Sequence, residues 1–461
     1  MATTRDVGLV KGLGLVDSTT LVVGSMIGSG VFIVAADISR QVQSPGLMMM
    51  TWFVTAALTL IAALSYGELA AAMPHAGGQY LYLREAFGPL YGFLYGWTLF
   101  LVIQTGTIAA VAVAFAKYAG VFMPWISDRN RVIGAGTFGL QTQQLVAIAV
   151  VVLLAWVNTR GIQTGAVVQN IFTVAKVVAI LGLVGAGFLV GRNPDAVAAN
   201  FTGFWRGAGW DFTTVRLVGV AMVGALFSAD AWNNVTFTAG EVRNPRRDLP
   251  LSLALGVGIV CTLFIACQFV YLNVLTFDQV QHAANDRVAA AAAGRMFGSL
   301  GAGLMAAAIM ISTFGCVNGL TLAGARVYYA MAEDGLFFRR VGELDPCTHA
   351  PVWALALQCG WTVVLTLSGG YNDLLDYVIF AVLLFYILTI AGLFVLRRTR
   401  PDLERPYRAF GYPVLPAVYM AAAGLIEILL LLYKPNYTWP GLIIVLLGLP
   451  VYFIWRRKAT I

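Results

Sequence analysis

The sequence predicts an all-α integral membrane protein with about twelve transmembrane helices. Of its 461 residues, 59% are hydrophobic and only 11% are charged, whereas charged residues make up roughly 25% of an ordinary soluble domain. The apolar residues form long stretches that are separated by short polar loops. Two of these stretches, one in each half of the chain, are interrupted by glycine and polar residues. These features exclude a soluble globular class.

The helices follow from the lengths of the apolar stretches. A hydrocarbon core of ~30 Å is crossed by roughly 20 helical residues, and most of the stretches reach that length. In chain order, the predicted helices lie near 14–37, 46–72, 89–122, 143–159, 163–190, 214–238, 250–275, 301–331, 352–368, 373–396, 412–433 and 439–456. The fourth and the ninth are the shortest.

The basic residues predict how the chain is oriented in the bilayer. A net charge of +7 would suit a nucleic-acid partner, but the lysines and arginines lie between the apolar spans rather than on one face. The loops on one side carry twice as many of them as the opposite loops, and the richer side faces the cytoplasm. Because no cleavable signal pattern precedes the first span, we expect a multi-pass protein of the plasma or inner membrane with both termini cytoplasmic.

The cysteines predict no disulfide framework. All five fall in predicted spans or in a cytoplasmic loop, where thiols stay reduced. Their spacing, like that of the three histidines, matches no metal site. We therefore expect neither a metal nor a cofactor.

The two interruptions are the strongest indication of function. The first, residues 24–30 (GSMIGSG), and the second, residues 227–234 (FSADAWNN), combine glycine with serine, aspartate and asparagine. These residue types permit or favour non-helical backbone, which membranes tolerate only around a protein-enclosed or watery cavity. Paired broken helices at corresponding places in two halves are typical of secondary transporters.

The topology predicts that the two broken helices run antiparallel. The first span leads outward from a cytoplasmic terminus and the sixth leads inward, as in a five-plus-five inverted repeat. We expect a single polytopic membrane domain over residues 1–461, with repeats at 14–190 and 214–396 and two peripheral helices at 412–456.

Four segments resemble the amino acid–polyamine–organocation superfamily, and particularly its L-amino-acid transporter branch. They are residues 26–32 (MIGSGVF), the region 65–88 that begins SYGEL, residues 241–250 (EVRNPRRDLP) and residues 314–319 (FGCVNG). The resemblance extends from about Leu15 to beyond Arg397, over most of the chain. It implies a LeuT-like fold of ten core and two peripheral helices that moves amino acids by alternating access.

The resemblance also implies a substrate site. The expected substrate-binding residues are Met26, Ile27, Gly28, Ser29, Gly30, Phe227, Ser228, Asp230, Asn233 and Phe380. Phe227 matches an aromatic gate, Asn233 a polar pocket residue and Phe380 an aromatic wall of the tenth span. Both phenylalanines have an alternative interpretation as ordinary core or lipid-facing aromatics.

The chemistry of the breaks suits a free amino acid, which is a zwitterion. The half-helix that begins after Gly30 presents unpaired N–H groups and its positive dipole end, which favour a carboxylate. The half-helix that ends near Phe227 presents unpaired carbonyls, which favour an ammonium. The alternative for Gly28 and Gly30 is close packing between helices.

Two charged residues within spans are candidates for special roles. Asp230 stands where many relatives of this branch carry glycine, and a carboxylate at mid-membrane indicates function. It is expected to bind a substrate amine, carry a proton or favour cationic substrates, or alternatively to cap the second half-helix. By resemblance, Lys176 occupies the space of a coupling sodium ion and links the first and eighth spans. Its alternative is a lysine in a watery vestibule.

Other charged residues lie at the predicted cytoplasmic ends of the spans. Glu68, Arg84, Glu85, Glu241 and Arg243 are expected to form either an inner gate or an ordinary solvated surface. On the opposite side, the Ala-rich segment 283–296 is expected to form a short helix over the vestibule.

These observations leave three hypotheses. The leading one is a sodium-independent secondary transporter or exchanger of neutral L-amino acids. The second is a transporter of polyamines, other organic cations or cationic amino acids, which Asp230 would permit. The third is a membrane enzyme, but the predicted spans contain no nucleotide-binding loop, metal cluster or nucleophile–base pair. Some relatives need a disulfide-linked single-span partner, but residues 123–142 contain no cysteine for that tether, so no such ancillary subunit is expected.

Overall fold

The computed structural model of the protein describes residues 9–133, 139–209, 211–368 and 371–459, without side chains at 371–377, 437 and 456–459. Most of the predicted cytoplasmic N-terminal segment, residues 1–8, lies outside this range. The helices are α1 Leu15–Met26, α2 Gly30–Val42, α3 Pro45–Ala72, α4 Gln79–Phe87, α5 Pro89–Thr98, α6 Gln104–Ala119, α7 Thr142–Asn158, α8 Ile162–Leu189, α9 Pro194–Phe201, α10 Phe212–Ser228, α11 Asn234–Phe237, α12 Pro245–Val274, α13 Phe277–Gln281, α14 Val288–Glu333, α15 Val352–Ser368, α16 Tyr371–Thr399, α17 Val414–Tyr433 and α18 Pro435–Ala459.

These helices confirm the predicted all-α membrane class. Among the described residues, nine helices are long and apolar enough to cross a membrane when the first is counted across its break. Three further apolar helices are shorter: Thr142–Asn158, Phe212–Ser228 and Val352–Ser368. A helix lies at each of the twelve positions that the apolar stretches predict.

Irregular helical turns and one small hairpin complete the described structure. A π-helical turn, Leu99–Ile103, joins α5 to α6, and 3₁₀ turns lie at Ala239–Glu241, Ala284–Asp286 and Arg339–Gly342. Between α6 and α7, strand β1 (Arg131–Ile133) pairs antiparallel with β2 (Leu140–Gln141). π-helical turns are rare and often accompany functional sites.

The first broken helix lies at the centre of the molecule. In the most apolar stretch of Leu15–Val42, 94% of the residues are buried. Its first half, α1, packs against α8, α12 and α14, and its second half, α2, packs against α10. Helix α14 in turn packs against α6 and α8. Helices α8, α10, α12 and α14 therefore surround the break.

Helix α8 shows how the bilayer orients polar residues inward. Gln169, Thr173 and Lys176, which share one helical face, are buried. The opposite face, more than half exposed at each position, carries Ile171, Val174, Val178 and Leu181. Because lipid solvates apolar groups but not polar ones, this pattern places the polar face of α8 against the centre of the protein.

The Ala-rich segment 283–296 begins with the 3₁₀ turn Ala284–Asp286 and continues as the first turns of α14. Helix α14 bends at Gly298, whose φ of 64° lies in the left-handed region that favours glycine. Arg40 at the end of α2 forms an ion pair with Asp286, at 2.7 Å. The segment is therefore helical, as predicted, and fastened to the second half of the first broken helix.

Candidate functional site

The first break exposes backbone carbonyls that side chains from other helices occupy. Helix α1 ends at Met26 and α2 begins at Gly30. Lys176 Nζ donates to the carbonyl oxygens of Gly24 and Ile27, both at 2.8 Å. Ser312 Oγ lies 3.0 Å from the Ile27 oxygen and 2.9 Å from the Gly28 oxygen. The non-helical backbone is thus stabilised by contacts with α8 and α14.

Lys176 lies where the sequence analysis placed it, between the first and eighth spans. It is 1% exposed, and a Cβ at Gly315 of α14 would lie 3.3 Å from its Nζ. No carboxylate lies within 4 Å of Nζ among the described residues. The ammonium group of the lysine therefore binds backbone carbonyls, as a bound metal cation would, and has no acidic partner among the described residues.

A polar network continues from the lysine along α8 and α14. Asn318 Nδ2 donates to Gln169 Oε1 at 3.0 Å and to the Gly165 oxygen at 3.1 Å. Asn158 Nδ2 donates to Asn318 Oδ1 at 3.0 Å, and Cys316 Sγ lies 3.0 Å from the Ser25 oxygen. The side of α14 that faces the first break is consequently polar.

Gly30 brings the two breaks into direct contact. A Cβ at Gly30 would lie 2.2 Å from Ser228 Oγ and 2.9 Å from Ser228 Cα, so only glycine fits. A Cβ at Gly28 would lie 3.2 Å from Cys316 Sγ. Close packing between helices therefore contributes to the requirement for glycine at both positions. At Gly30, the residue that packs against the glycine is Ser228, which belongs to the second break.

The second break separates α10, which ends at Ser228, from α11, which begins at Asn234. Ala231 has a φ of 65°, a left-handed conformation that costs a residue with a Cβ about 1 kcal/mol. The residue at the N-cap of α11 is Asn233, and no side chain caps this helix. The alternative interpretation of Asp230 as a helix cap is therefore wrong.

Asp230 is a buried carboxylate without a cationic partner. It is 8% exposed, and its Oδ1 accepts a hydrogen bond of 2.6 Å from the Tyr386 hydroxyl of α16. No lysine, arginine or histidine lies within 4 Å among the residues that the structure describes. Tyr386 packs against Trp232 and Tyr66, with ring centroids 5.1 and 5.7 Å away.

A small polar cavity adjoins Asp230 and admits about one water molecule in this conformation. It is lined by Gln79, Tyr95, Leu99, Ile103, Gln104, Thr107, Asp230, Ala231, Asn233, Asn234, Phe237, Leu320, Val382 and Tyr386. Asn233 Nδ2 donates to Gln79 Oε1 at 2.8 Å. The π-helical turn contributes Leu99 and Ile103, so it helps to shape this cavity.

The remaining predicted site residues are buried near the breaks or on α16. Met26, Ile27 and Ser29 belong to the first break, and Phe227 lies in the last turn of α10. Phe380 is 2% exposed but does not line the cavity, whereas Tyr386, six residues further along α16, does.

Sequence reasoning missed Gln79, Ser312 and Tyr386. Each is a hydrogen-bonding side chain in or beside an apolar helix, where it must find a polar partner. That requirement is the signal that could have identified them, although it does not name the partner. The partners found here are Asn233, the first break and Asp230.

Two buried ion pairs connect separate elements of the chain. Arg326 of α14 binds Glu241 through two hydrogen bonds, Nε–Oε2 at 2.8 Å and Nη2–Oε1 at 3.1 Å, and both side chains are 1% exposed. Glu68 of α3 accepts from Arg397 of α16 at 2.5 and 2.9 Å. The interpretation of Glu68 and Glu241 as solvated surface residues is therefore wrong.

Arg84 and Glu85 form a more exposed network near the end of α16. Arg84 pairs with Asp334 and Glu85, and Arg400 reaches Glu85 at 2.9 Å. Arg243 donates its backbone N–H to the Leu13 oxygen at 2.9 Å. These contacts join the chain before α1, the loop after α11, and helices α4, α14 and α16.

Comparison with known proteins connects this arrangement to a family. The sequence model of the amino acid permease family matches residues 13–452, which is nearly the whole chain. The serine/threonine exchanger SteT of Bacillus subtilis (strain 168) is 29% identical over 466 residues, which cover 99% of this chain and 100% of the relative.

Two animal transporters show a similar degree of likeness. Asc-type amino acid transporter 1 of Mus musculus is 29% identical, over 98% of this chain and 83% of the relative. The b(0,+)-type amino acid transporter 1 of Homo sapiens is 28% identical, over 99% of this chain and 91% of the relative. All three names describe a transporter or an exchanger.

Proposed function

Because this chain belongs to the amino acid permease family, within the amino acid–polyamine–organocation superfamily, we propose that it carries neutral L-amino acids across the plasma membrane without sodium. Its relatives are amino acid transporters and exchangers, so the chain is a multi-pass amino acid transporter and not an enzyme. The neutral substrate, the independence from sodium and the membrane are the parts of the proposal that need testing.

The position of Lys176 is the main support for the proposal that transport does not need sodium. Its ammonium group sits on the Gly24 and Ile27 carbonyl oxygens at 2.8 Å, and carbonyl oxygens at broken helices are the ligands that bind coupling sodium ions in secondary transporters. Because the ammonium group of Lys176 already occupies these oxygens, no sodium ion from solution is needed there. The lysine then connects the first break to α8 and α14 throughout the transport cycle.

The substrate site in this proposal lies between the two breaks. The N–H groups of Gly30 and Val31 lie at the positive end of α2 and receive the substrate carboxylate, while the carbonyls at the end of α10 receive the ammonium. In this conformation Gly30 contacts Ser228, so the breaks separate when substrate binds. Met26, Ile27, Gly28 and Ser29 on one side and Phe227 and Asn233 on the other supply the walls.

The transport cycle follows from two repeats that move relative to each other. Residues 14–190 and 214–396 form the repeats, and 412–456 form two peripheral helices. In this proposal the side of the membrane with more lysine and arginine in its loops is cytoplasmic. The Glu241–Arg326 and Glu68–Arg397 pairs then close the pathway between the substrate site and the cytoplasm. Opening that pathway requires these buried ion pairs to separate.

Uptake into liposomes that contain the purified protein tests sodium independence directly. Labelled serine and leucine are supplied in sodium, potassium or choline chloride, with and without unlabelled serine inside. We expect equal initial rates in the three salts, and faster uptake with internal serine if the protein is an exchanger. A saturable requirement for sodium would refute the proposal, and uptake by the protein alone would support its independence from an ancillary subunit.

Amino acid amides test the role of the first break. An amide keeps the amine and the side chain but lacks the carboxylate, so it loses the charge that favours a helix N-terminus. We expect serine amide to compete with labelled serine far more weakly than serine does. Equal competition would show that the substrate carboxylate does not bind at this site.

A second candidate function, transport of cationic amino acids or polyamines, is favoured by the unpaired carboxylate of Asp230. A cationic side chain near this carboxylate and the rings of Trp232 and Tyr386 would gain charge and cation–π interactions. Inhibition of serine uptake by arginine, lysine or putrescine, lost in Asp230→Asn, would support it. Labelled arginine uptake without serine uptake would replace the first proposal with this one.

A further inference from the structure

We propose that Asp230 and Tyr386 form a proton-binding site, and that this chain moves protons together with neutral amino acids. The inference rests on the proposed transport of neutral amino acids. It goes beyond that function because it names a second transported species and the atoms that hold it.

First, the carboxylate of Asp230 has no positively charged partner to balance it in the part of the chain that the structure describes. An ionised carboxylate without a partner costs several kcal/mol to bury, and it gains a proton instead when no cation is present. Among the described residues no lysine, arginine or histidine lies within 4 Å of the carboxylate, and the titratable side chains near it include Tyr95, Cys316, Tyr386 and Tyr419. None of these groups carries a positive charge at neutral pH.

The second step is the hydrogen-bond geometry. Tyr386 donates to Oδ1 of Asp230 at 2.6 Å, and the backbone N–H of Ala231 also donates to the carboxylate. A carboxylate offers about four acceptor positions, so a position remains for a proton. Asp230 also adjoins a second small cavity, lined in part by Thr59, Tyr386 and Tyr419. Each of the two cavities has space for about a water molecule, so a water molecule can lie beside the carboxyl group and exchange a proton with it.

The third step is the location of the pair. Asp230 belongs to the backbone between α10 and α11, and Tyr386 belongs to α16. Their hydrogen bond thus joins the second break to a neighbouring helix. Protonation removes the buried charge and allows the site to close, whereas ionisation favours a hydrated, open site. One proton binds from the outer side and one is released inside during each cycle, with no other bond formed or broken.

Liposomes that contain a trapped pH-sensitive dye test the proposal. With the lumen at pH 7.5, serine is added outside at pH 7.5 or 6.5, and serine uptake and luminal acidification are followed together. We expect faster uptake at pH 6.5 and serine-dependent acidification with the wild-type protein. Serine uptake that is unaffected by external pH and moves no protons would overturn the proton site, while leaving amino acid transport intact.

Two variants and a control identify the atoms. Asp230→Asn, which cannot ionise, should lose both the pH response and the acidification in whatever serine uptake it retains. Tyr386→Phe removes a donor to the ionised carboxylate, so its pH–rate midpoint should move to higher pH. Asp211→Asn, at an exposed carboxylate that caps α10, should behave as wild type.

A different result with Asp230→Asn would contradict the proposal. If the variant weakens serine binding equally at both pH values and keeps the wild-type pH response, the carboxylate holds the substrate ammonium and not a proton. If no neutral amino acid is taken up by wild-type protein at any pH, the proposed function itself is refuted.

Discussion

At the scale of single residues, two charges in the membrane have different surroundings. Lys176 has backbone carbonyl acceptors on the first break, so its charge is solvated by dipoles. Asp230 has one tyrosine hydroxyl and no cation within 4 Å among the described residues. The lysine is therefore suited to hold the first break in place and, in our proposal, the aspartate to gain and lose a proton.

Lys176→Ala should reduce the transport rate at least ~10-fold, equivalent to about 1.4 kcal/mol, with a smaller effect on equilibrium binding. The lysine holds the break against α8 and does not contact substrate in our proposal. Transport into liposomes and serine binding to the same preparation measure the two effects.

The matched control for this variant is Lys117→Ala. Lys117 also lies on an apolar helix, but its Nζ donates to the Asn285 oxygen at the protein surface, at 3.1 Å. This control should transport normally. Wild-type transport by Lys176→Ala would instead favour the interpretation of Lys176 as a lysine in a watery vestibule.

At the scale of helices, the contact between the two broken helices depends on one glycine. Gly30→Ala would place a Cβ 2.2 Å from Ser228 Oγ and 2.8 Å from Ser228 Cβ, so α2 and α10 must move apart. We expect serine transport to be nearly abolished. Gly182→Ala, on α8 with nothing within 4 Å of the added Cβ, is the control and should be active.

A second substitution separates local crowding from misfolding. Ser228→Gly removes two of the three close atoms, so Gly30→Ala combined with Ser228→Gly should recover part of the lost transport. The Ser228 Cα remains 2.9 Å from the new Cβ, which is why full recovery is not expected. If Gly30→Ala alone transports at the wild-type rate, the tight approach of the breaks is not required for function.

At the scale of the whole molecule, buried ion pairs connect elements that are far apart in the sequence. Glu241–Arg326 joins the loop after α11 to α14, and Glu68–Arg397 joins α3 to α16. Glu68–Arg397 thus joins a helix of the first predicted repeat to a helix of the second, whereas Glu241–Arg326 lies within the second. Alternating access in our proposal requires them to break and re-form in each cycle.

Glu241→Gln should destabilise the closed form by roughly 3–5 kcal/mol, because Arg326 would be left as an unpaired buried charge. We expect a lower Tm and faster labelling of Cys316 by a small thiol reagent, located by mass spectrometry. Cys316 suits this measurement because it is buried beside the first break.

The control for the ion pair is Glu404→Gln. Glu404 pairs with Arg246 at 2.8 Å, but these side chains are 68% and 59% exposed, so the pair contributes only about 0–1 kcal/mol. Its loss should leave Tm and Cys316 labelling unchanged. Slower labelling of Cys316 in Glu241→Gln would show that the pair does not hold this pathway closed.

The sequence by itself determined the membrane class, the helix positions and the two breaks. Long apolar stretches specify spans because backbone polar groups in lipid must be satisfied within the helix. Residues 24–30 and 227–234 specify breaks because glycine and short polar side chains weaken local helix preference. Lys176 was identifiable because a lysine in an apolar span needs nearby acceptors.

Only the tertiary structure decided what these residues contact. Tyr386 and Asp230 are 156 positions apart, and Ser312 and Gly28 are 284 apart. Local propensity also left open whether Asp230 caps a helix or carries a free charge, and the start of α11 at Asn234 excludes the cap. Such partners depend on which helices pack together, and in lipid that packing is driven by shape and hydrogen bonding rather than by apolar periodicity.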